Sequence, residues 1–250
     1  VTGLLAASRA DPPATPSPSP HHHHHRHHPG GSPSPSPSPS AAPEETPADA
    51  HAASPTPKPQ PSIGPDASLD PGQLDDFSRQ PPKIQALIRA SLALTRQNLT
   101  YTYSSADPAN GGMDCSGFVY YVLSNAGVPD VPRDASGQYT WVRKAGCFRA
   151  VISRNLDGFE LDELKPGALL FWSDTYATDR DPPVTHTMIY LGREKGSGSR
   201  VMVGSSDGRS YHGLRRWGVS VFDFKSAAAE TASPAHAAPR FIGYAAIPGL

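Results

Sequence analysis

The chain lacks the features that define several large classes of protein. It has two cysteines, Cys115 and Cys147, in 250 residues, too few for a disulfide framework and without the paired spacing of a zinc site. No run of about 18 apolar residues occurs anywhere, so nothing reads as a transmembrane helix. Charge of neither sign dominates, with 22 Lys and Arg against 23 Asp and Glu. From residue 82 onward the balance is 18 to 15, and a small positive net without a basic stripe is no footprint for nucleic acid. Large apolar residues are nearly absent from positions 1–71.

Proline is in excess instead. Eighteen of the 29 prolines fall in residues 1–71, among Ser, Ala and His. A segment of that composition cannot bury enough apolar surface to offset its ordering entropy, so residues 1–81 are expected to be a disordered tail and linker. Residues 82–250 remain as one domain of ordinary size. Within the tail, His21–His25, His27 and His28 form an imidazole cluster with the composition to bind divalent metals weakly, or simply to stay solvated. The Ser-Pro alternation of Gly31–Ser40 favours an extended spacer. Val1–Ala10, with Leu4-Leu5-Ala6-Ala7, reads weakly as the remnant of an export signal, since a basic start and a full apolar stretch are missing.

Past Pro82 the pattern becomes structural. Ile84, Leu87, Ile88, Leu92 and Thr95 recur at helical spacing and predict a helix over 83–97. A second helix is expected to open at Cys115 and stop at Gly127, and a short third to run over 136–144. Ala168–Trp172, Thr185–Leu191, Arg200–Ser205, Val219–Phe224 and Phe241–Ile247 are short apolar runs split by turn residues. Helices followed by consecutive strands predict an α+β domain, the helices packed on an antiparallel sheet.

Cys115 stands where a helix N-terminus would stabilise a thiolate. A nucleophilic thiol also needs an imidazole to take its proton and return it to the leaving amine. Outside the tail the chain offers His186, His212 and His236. His186 opens an apolar strand, which holds a side chain more rigidly than the loops expected around the other two. It is the expected partner, 71 positions downstream.

Four segments then carry a resemblance. Tyr101-Thr-Tyr103, Asp114-Cys115-Ser116-Gly117-Phe118-Val119, Leu164-Lys-Pro166-Gly167-Ala168-Leu-Leu-Phe171 and His186-Thr-Met-Ile-Tyr-Leu-Gly192 follow in order and spacing the pattern of the NlpC-type cell-wall peptidases. The resemblance covers about residues 84–247. It implies a papain-like fold and a cysteine peptidase cutting peptidoglycan stem peptides, commonly between γ-D-glutamate and diaminopimelate, without a cofactor. Such a substrate implies a secreted or envelope location. By the same resemblance Cys115 is the nucleophile and His186 the base and acid. Tyr101 is an oxyanion donor beside the Cys115 N–H, Asp114 and Ser116 meet the free amino end of the stem peptide, and Tyr103 is an aromatic wall.

The chain departs from that pattern in three places. Ser104-Ser105 replaces a pair of glycines, and Ala168 stands where Asp is common. Gly204 occupies the slot of the polar residue that fixes the catalytic imidazole. A backbone carbonyl, Ser205, Ser206, Asp207 or His212 are the substitutes in reach, since orientation needs only one acceptor. Cys147 reads as structural, at least two of Trp141, Trp172 and Trp217 as core, and Arg209, Arg215 and Arg216 as a solvated basic edge. Two other functions compete with the peptidase: a papain-like amidase acting on another amide or ester, and a catalytically silent wall-binding module.

Overall fold

A computed structural model describes residues 66–153, 158–225 and 239–250. The histidine tract, the Ser-Pro spacer, the candidate signal remnant and His236 lie outside the described residues. In chain order the elements are α1 (Pro82–Leu94), β1 (Thr100–Tyr101), β2 (Gly112–Met113), α2 (Cys115–Asn125), α3 (Ala135–Lys144), β3 (Phe148–Ala150), β4 (Leu169–Ser173), β5 (Val184–Arg193), β6 (Arg200–Ser206), β7 (Ser210–Tyr211), β8 (Leu214–Arg215), β9 (Gly218–Asp223) and β10 (Arg240–Ala245). This is the α+β arrangement expected from the sequence.

The main sheet has six strands in the order β3-β10-β4-β5-β6-β9, every neighbouring pair antiparallel. Its central strands are buried on both faces, which is why they read as continuous apolar runs rather than as alternations. One face carries Leu169, Phe171, Ile189, Leu191, Val201 and Val203, joined in one cluster with Leu87, Ile88, Phe118, Val119, Val122 and Leu123 of α1 and α2. The other carries Leu170, Trp172, Met188, Tyr190, Met202 and Phe222, packed with Leu161, Phe224 and Phe241. From His186 to Leu191 the period of two assigns the β5 side chains to alternate faces, and a register shift before His186 turns Val184 to the helix side.

α2 lies against β5 and β6 and is apolar nearly all round, as a helix buried against a sheet must be. Asp114 caps it, accepting from the Gly117 N–H at 2.6 Å. Gly117 has to be glycine: a Cβ there would collide with the Ser105 carbonyl oxygen, so its absence lets the loop before β2 press on the first turn. α1 ends three residues before the expected position, with Thr95 as its C-cap.

The domain begins earlier than residue 82. Ala67, Leu69, Leu74 and Phe77 are buried in the helix-side cluster, and the Val221 N–H donates to the Ala67 carbonyl along the edge of β9. These apolar residues are sparse and sit in or beside three-residue 3-10 helices and a single β-bridge, too short to show periodicity. The basic edge is corrected too. Arg209 and Arg216 are buried, and only Arg215 of the three is exposed. Trp172 is fully buried and Trp141 packs against the core, whereas Trp217 is partly open. Both cysteines are free thiols, and Cys147 packs half-buried against the helix-side core.

Candidate active site

The N-terminus of α2 points its first residue at the start of β5. Cys115 Sγ lies 3.9 Å from the Thr185 carbonyl oxygen, and the backbone N–H groups of Thr187, Ser116 and Cys115 itself favour its ionised form. The thiol therefore contacts the backbone on either side of His186, at Thr185 and Thr187. Burial opposes ionisation and wins. It pushes the thiol up to about 11, and the neighbouring Asp114 charge adds to the rise.

His186 projects differently. Its cross-strand partner is Trp172, and the two rings meet edge to face at 5.6 Å. The imidazole thus lies on the sheet face that carries Met188 and Tyr190, not on the face that α2 covers. Burial holds it well below the usual imidazole range, and the Arg209 cation lowers it further. Its Nε2 is buried and has no hydrogen-bond partner. The resting pair is accordingly a neutral thiol and a neutral imidazole. The helix N-terminus alone argues for a thiolate; the desolvation that outweighs it is a property of the packed fold, not of the local sequence.

The candidates for the missing third residue resolve in part. The Ser205 hydroxyl donates to the Met113 carbonyl at 2.6 Å. His212 Nε2 lies 2.7 Å from the Glu194 carboxylate, which also accepts from Tyr211. Both are committed elsewhere. At Gly204 itself a Cβ would stand 3.0 Å from Met188 Cγ, so Met188 fills the space a side chain on β6 would need.

Around the sulfur a cleft of about 160 Å³ is lined by Tyr101, Tyr103, Asp114, Ser116, Arg133, Tyr176, Arg180 and Thr185. Tyr101 is held protonated by burial and by the nearby Cys115, Asp207 and Asp114, so its hydroxyl can donate. Tyr103 is 71% exposed at the rim. Asp114 is the most heavily bonded group in the cleft. Besides capping α2 it accepts from the Ser116 hydroxyl at 3.1 Å and from two nitrogens of Arg133 at 3.0 and 2.8 Å. Arg133 also donates to Ser116 Oγ at 3.1 Å. The carboxylate expected to meet an ammonium group is already matched by a guanidinium.

Arg133, Tyr176, Arg180 and Thr185 were not anticipated as site residues. Arg133 sits in a turn just before the α3 cap, and no local pattern aims it at Asp114, 19 positions earlier. Thr185 was expected only as the first residue of a strand. Among the described residues no cluster of three or more His, Cys, Asp or Glu side chains could hold a metal, and no helix is long and apolar enough to cross a membrane.

Residues 98–213 match the NlpC/P60 family. No curated protein matches the chain. Among solved structures the chain is similar to a Staphylococcus aureus subsp. aureus Mu50 protein described as similar to a lipoprotein of the NLP/P60 family. The identity is 20% and the TM-score 0.38, over 72% of this chain and 45% of that one. The chain therefore spans less than half of that protein's length.

Proposed function

We propose that this chain, whose residues 98–213 match the NlpC/P60 family, is a cysteine endopeptidase of peptidoglycan stem peptides. The bond cut is that between γ-D-glutamate and diaminopimelate. The observation that carries the reading is the placement of Cys115 Sγ at the N-terminus of α2 and 3.9 Å from the residue that precedes His186.

On this reading the substrate carbonyl enters the cleft over Cys115. The thiol proton passes to the neutral His186 ring around the edge of β5, directly or through one water, as the sulfur attacks the carbonyl carbon. The Cys115 N–H and the Tyr101 hydroxyl hold the developing oxyanion. The tetrahedral adduct collapses, the C–N bond breaks, and the amine leaves with the proton from His186. Water then gives a proton to the same ring, attacks the thioester and releases the acyl half as a carboxylic acid, restoring the thiol. Asp114, held by Arg133, fixes the first turn of α2 and with Ser116 and Tyr103 forms the wall that receives the amino end of the stem peptide. Such a substrate places the chain in the envelope or outside the cell, with residues 1–65 as spacer and the histidine tract as a weak metal-binding segment.

Digestion of purified peptidoglycan, with product masses compared between the native chain and Cys115→Ala, tests this. Fragments ending in γ-D-glutamate and others beginning with diaminopimelate are expected from the native chain alone. Masses showing a different bond would favour the amidase. A silent wall-binding module is the second reading, favoured by the unpartnered His186 Nε2 and by the buried, neutral thiol. It predicts that the protein sediments with peptidoglycan yet releases no fragment.

A further inference from the structure

On the sheet face away from the helices, a side chain at position 204 of β6 is excluded, and the buried Ser206 further along the strand leaves His186 Nε2 unpartnered. Gly204 has no side chain, and Met188 occupies the volume one would need. Something else must hold the His186 ring, because a buried imidazole left free to turn presents the wrong nitrogen to the thiol much of the time.

Two residues take up that space. Trp172, directly across from His186 in the β4–β5 register, sets its indole edge to face against the imidazole at 5.6 Å. The Arg209 guanidinium, on the turn after β6, lies 4.4 Å over the same indole. Both side chains are buried, Trp172 completely. Phe224 and Phe241 pack on the indole at 6.2 and 5.1 Å, so it cannot swing away from the imidazole. A cation over an indole face in a desolvated setting is worth about 2 kcal/mol or more, enough to fix an arginine in place.

We propose that Trp172 and Arg209 are the positioning residues of His186, standing in for the absent polar side chain at position 204. Trp172 sets the ring plane by contact. Arg209 clamps Trp172 and brings a positive charge to the ring, so that the imidazole waits unprotonated, ready to accept a proton rather than already holding one. The charged and titratable groups around this end of β5 are Arg209 from the turn after β6 and Cys115 from α2, with Asp114, Asp207 and Tyr101 further out around the sulfur. Among them Arg209 is the one that acts on the ring. The proposal rests on His186 being the base, but its test does not need turnover.

The experiment follows the His186 ring signals against pH by NMR on histidine-labelled protein, for the full chain and for Arg209→Met, Arg209→Lys and Trp172→Phe. In Arg209→Met the titration midpoint should rise, because the cation that opposes protonation is gone. In Arg209→Lys it should stay near the native position. In Trp172→Phe the charge remains but the clamp weakens, and the ring signals should broaden or double. An Arg209→Met midpoint equal to the native one would overturn the proposal. So would a midpoint in Arg209→Lys moved as far as in Arg209→Met, since Arg209 would then act through shape alone. If the Met variant does not fold, the Lys and Phe variants still decide it: a single sharp native-like ring signal in Trp172→Phe contradicts the clamp. Should the protein prove inactive on peptidoglycan while these shifts appear, the peptidase reading fails and the positioning assignment survives. If activity is present, the acid limb of its pH profile should move to higher pH in Arg209→Met and not in Arg209→Lys.

Discussion

The two sides of β5 at its first residues are made of opposite materials. On the helix side, Cys115 sits at the end of a chain of hydrogen bonds: Arg133 grips Asp114, Asp114 caps α2, and the capped turn aims the sulfur at Thr185. On the other side, His186 is surrounded by Trp172 and an arginine cation, and its Nε2 bonds to nothing. The proposed nucleophile is placed by directional polar contacts. The proposed base is placed by packing. The division does not carry over to ionisation, because burial holds both groups in their neutral forms.

The sharpest test of the comparison removes the chemistry and leaves the scaffold. Cys115→Ala should lower kcat/KM on stem peptide by about 10⁴-fold or more, with a melting temperature within a few degrees of native. A large loss of stability in this variant would mean that the sulfur is part of the core and not merely held beside it.

Next in size is the polar chain itself. Asp114→Ala removes the helix cap and leaves Arg133 and Ser116 without their acceptor, so a loss of about 3 kcal/mol is expected in urea unfolding. Arg133→Met should cost less, about 2 kcal/mol, because the guanidinium is 36% exposed and water can reach the site it vacates. Equal and small effects would show that the bonds around Asp114 do not set the position of α2.

The ionisation states give a third test. A thiol raised from 9.0 to about 11 in the folded chain keeps its proton where the unfolded chain has lost it. Stability is then full below pH 9 and falls as pH climbs through the folded value, by on the order of 2–3 kcal/mol. Cys115→Ala should lack that alkaline slope. His186 works at the other end. Its folded value lies below the ordinary 6.5, so the unfolded state binds the proton first and stability declines as pH drops below about 6.5. An acid limb that is unchanged in His186→Gln would contradict the buried neutral ring.

The smallest effect expected is at Gly204. Gly204→Ala brings a Cβ to 3.0 Å from Met188 Cγ and should cost about 1 kcal/mol through overpacking. In a Met188→Ala background, itself destabilised by about 2–5 kcal/mol, the Gly204→Ala cost should largely vanish. Additive costs in that double-mutant cycle would show that the two positions do not share space.

The sequence made the helix-side half of the site legible and left the other half obscure. Asp114, Cys115 and Ser116 are contiguous, and capping plus one buried helix put them where they are. The five longer strands and three helices followed from apolar runs and periodicity, with ends displaced by a few residues. β3, of three residues, and the two-residue strands carry too little pattern to be seen. Residues 66–81 read as tail because their few apolar side chains show no periodicity, although their burial in the helix-side core makes them part of the fold. Arg209 looked like surface charge, since nothing local says that a turn residue will fold over Trp172, 37 positions earlier. The alternation in β5 puts His186 on the face of Met188, but nothing in it reveals that the sulfur meets the backbone at Thr185 and Thr187. That relation is set by how β4, β5 and α2 pack, which is a tertiary fact.

Mass spectrometry of the chain rapidly quenched in acid during turnover of a stem-peptide substrate tests the central assignment most directly. The account predicts a transient mass increase equal to the acyl half of the substrate, located on Cys115 and absent from both Cys115→Ala and His186→Gln. Cleavage that continues undiminished in Cys115→Ala, or an acyl adduct found on any other residue, would contradict it.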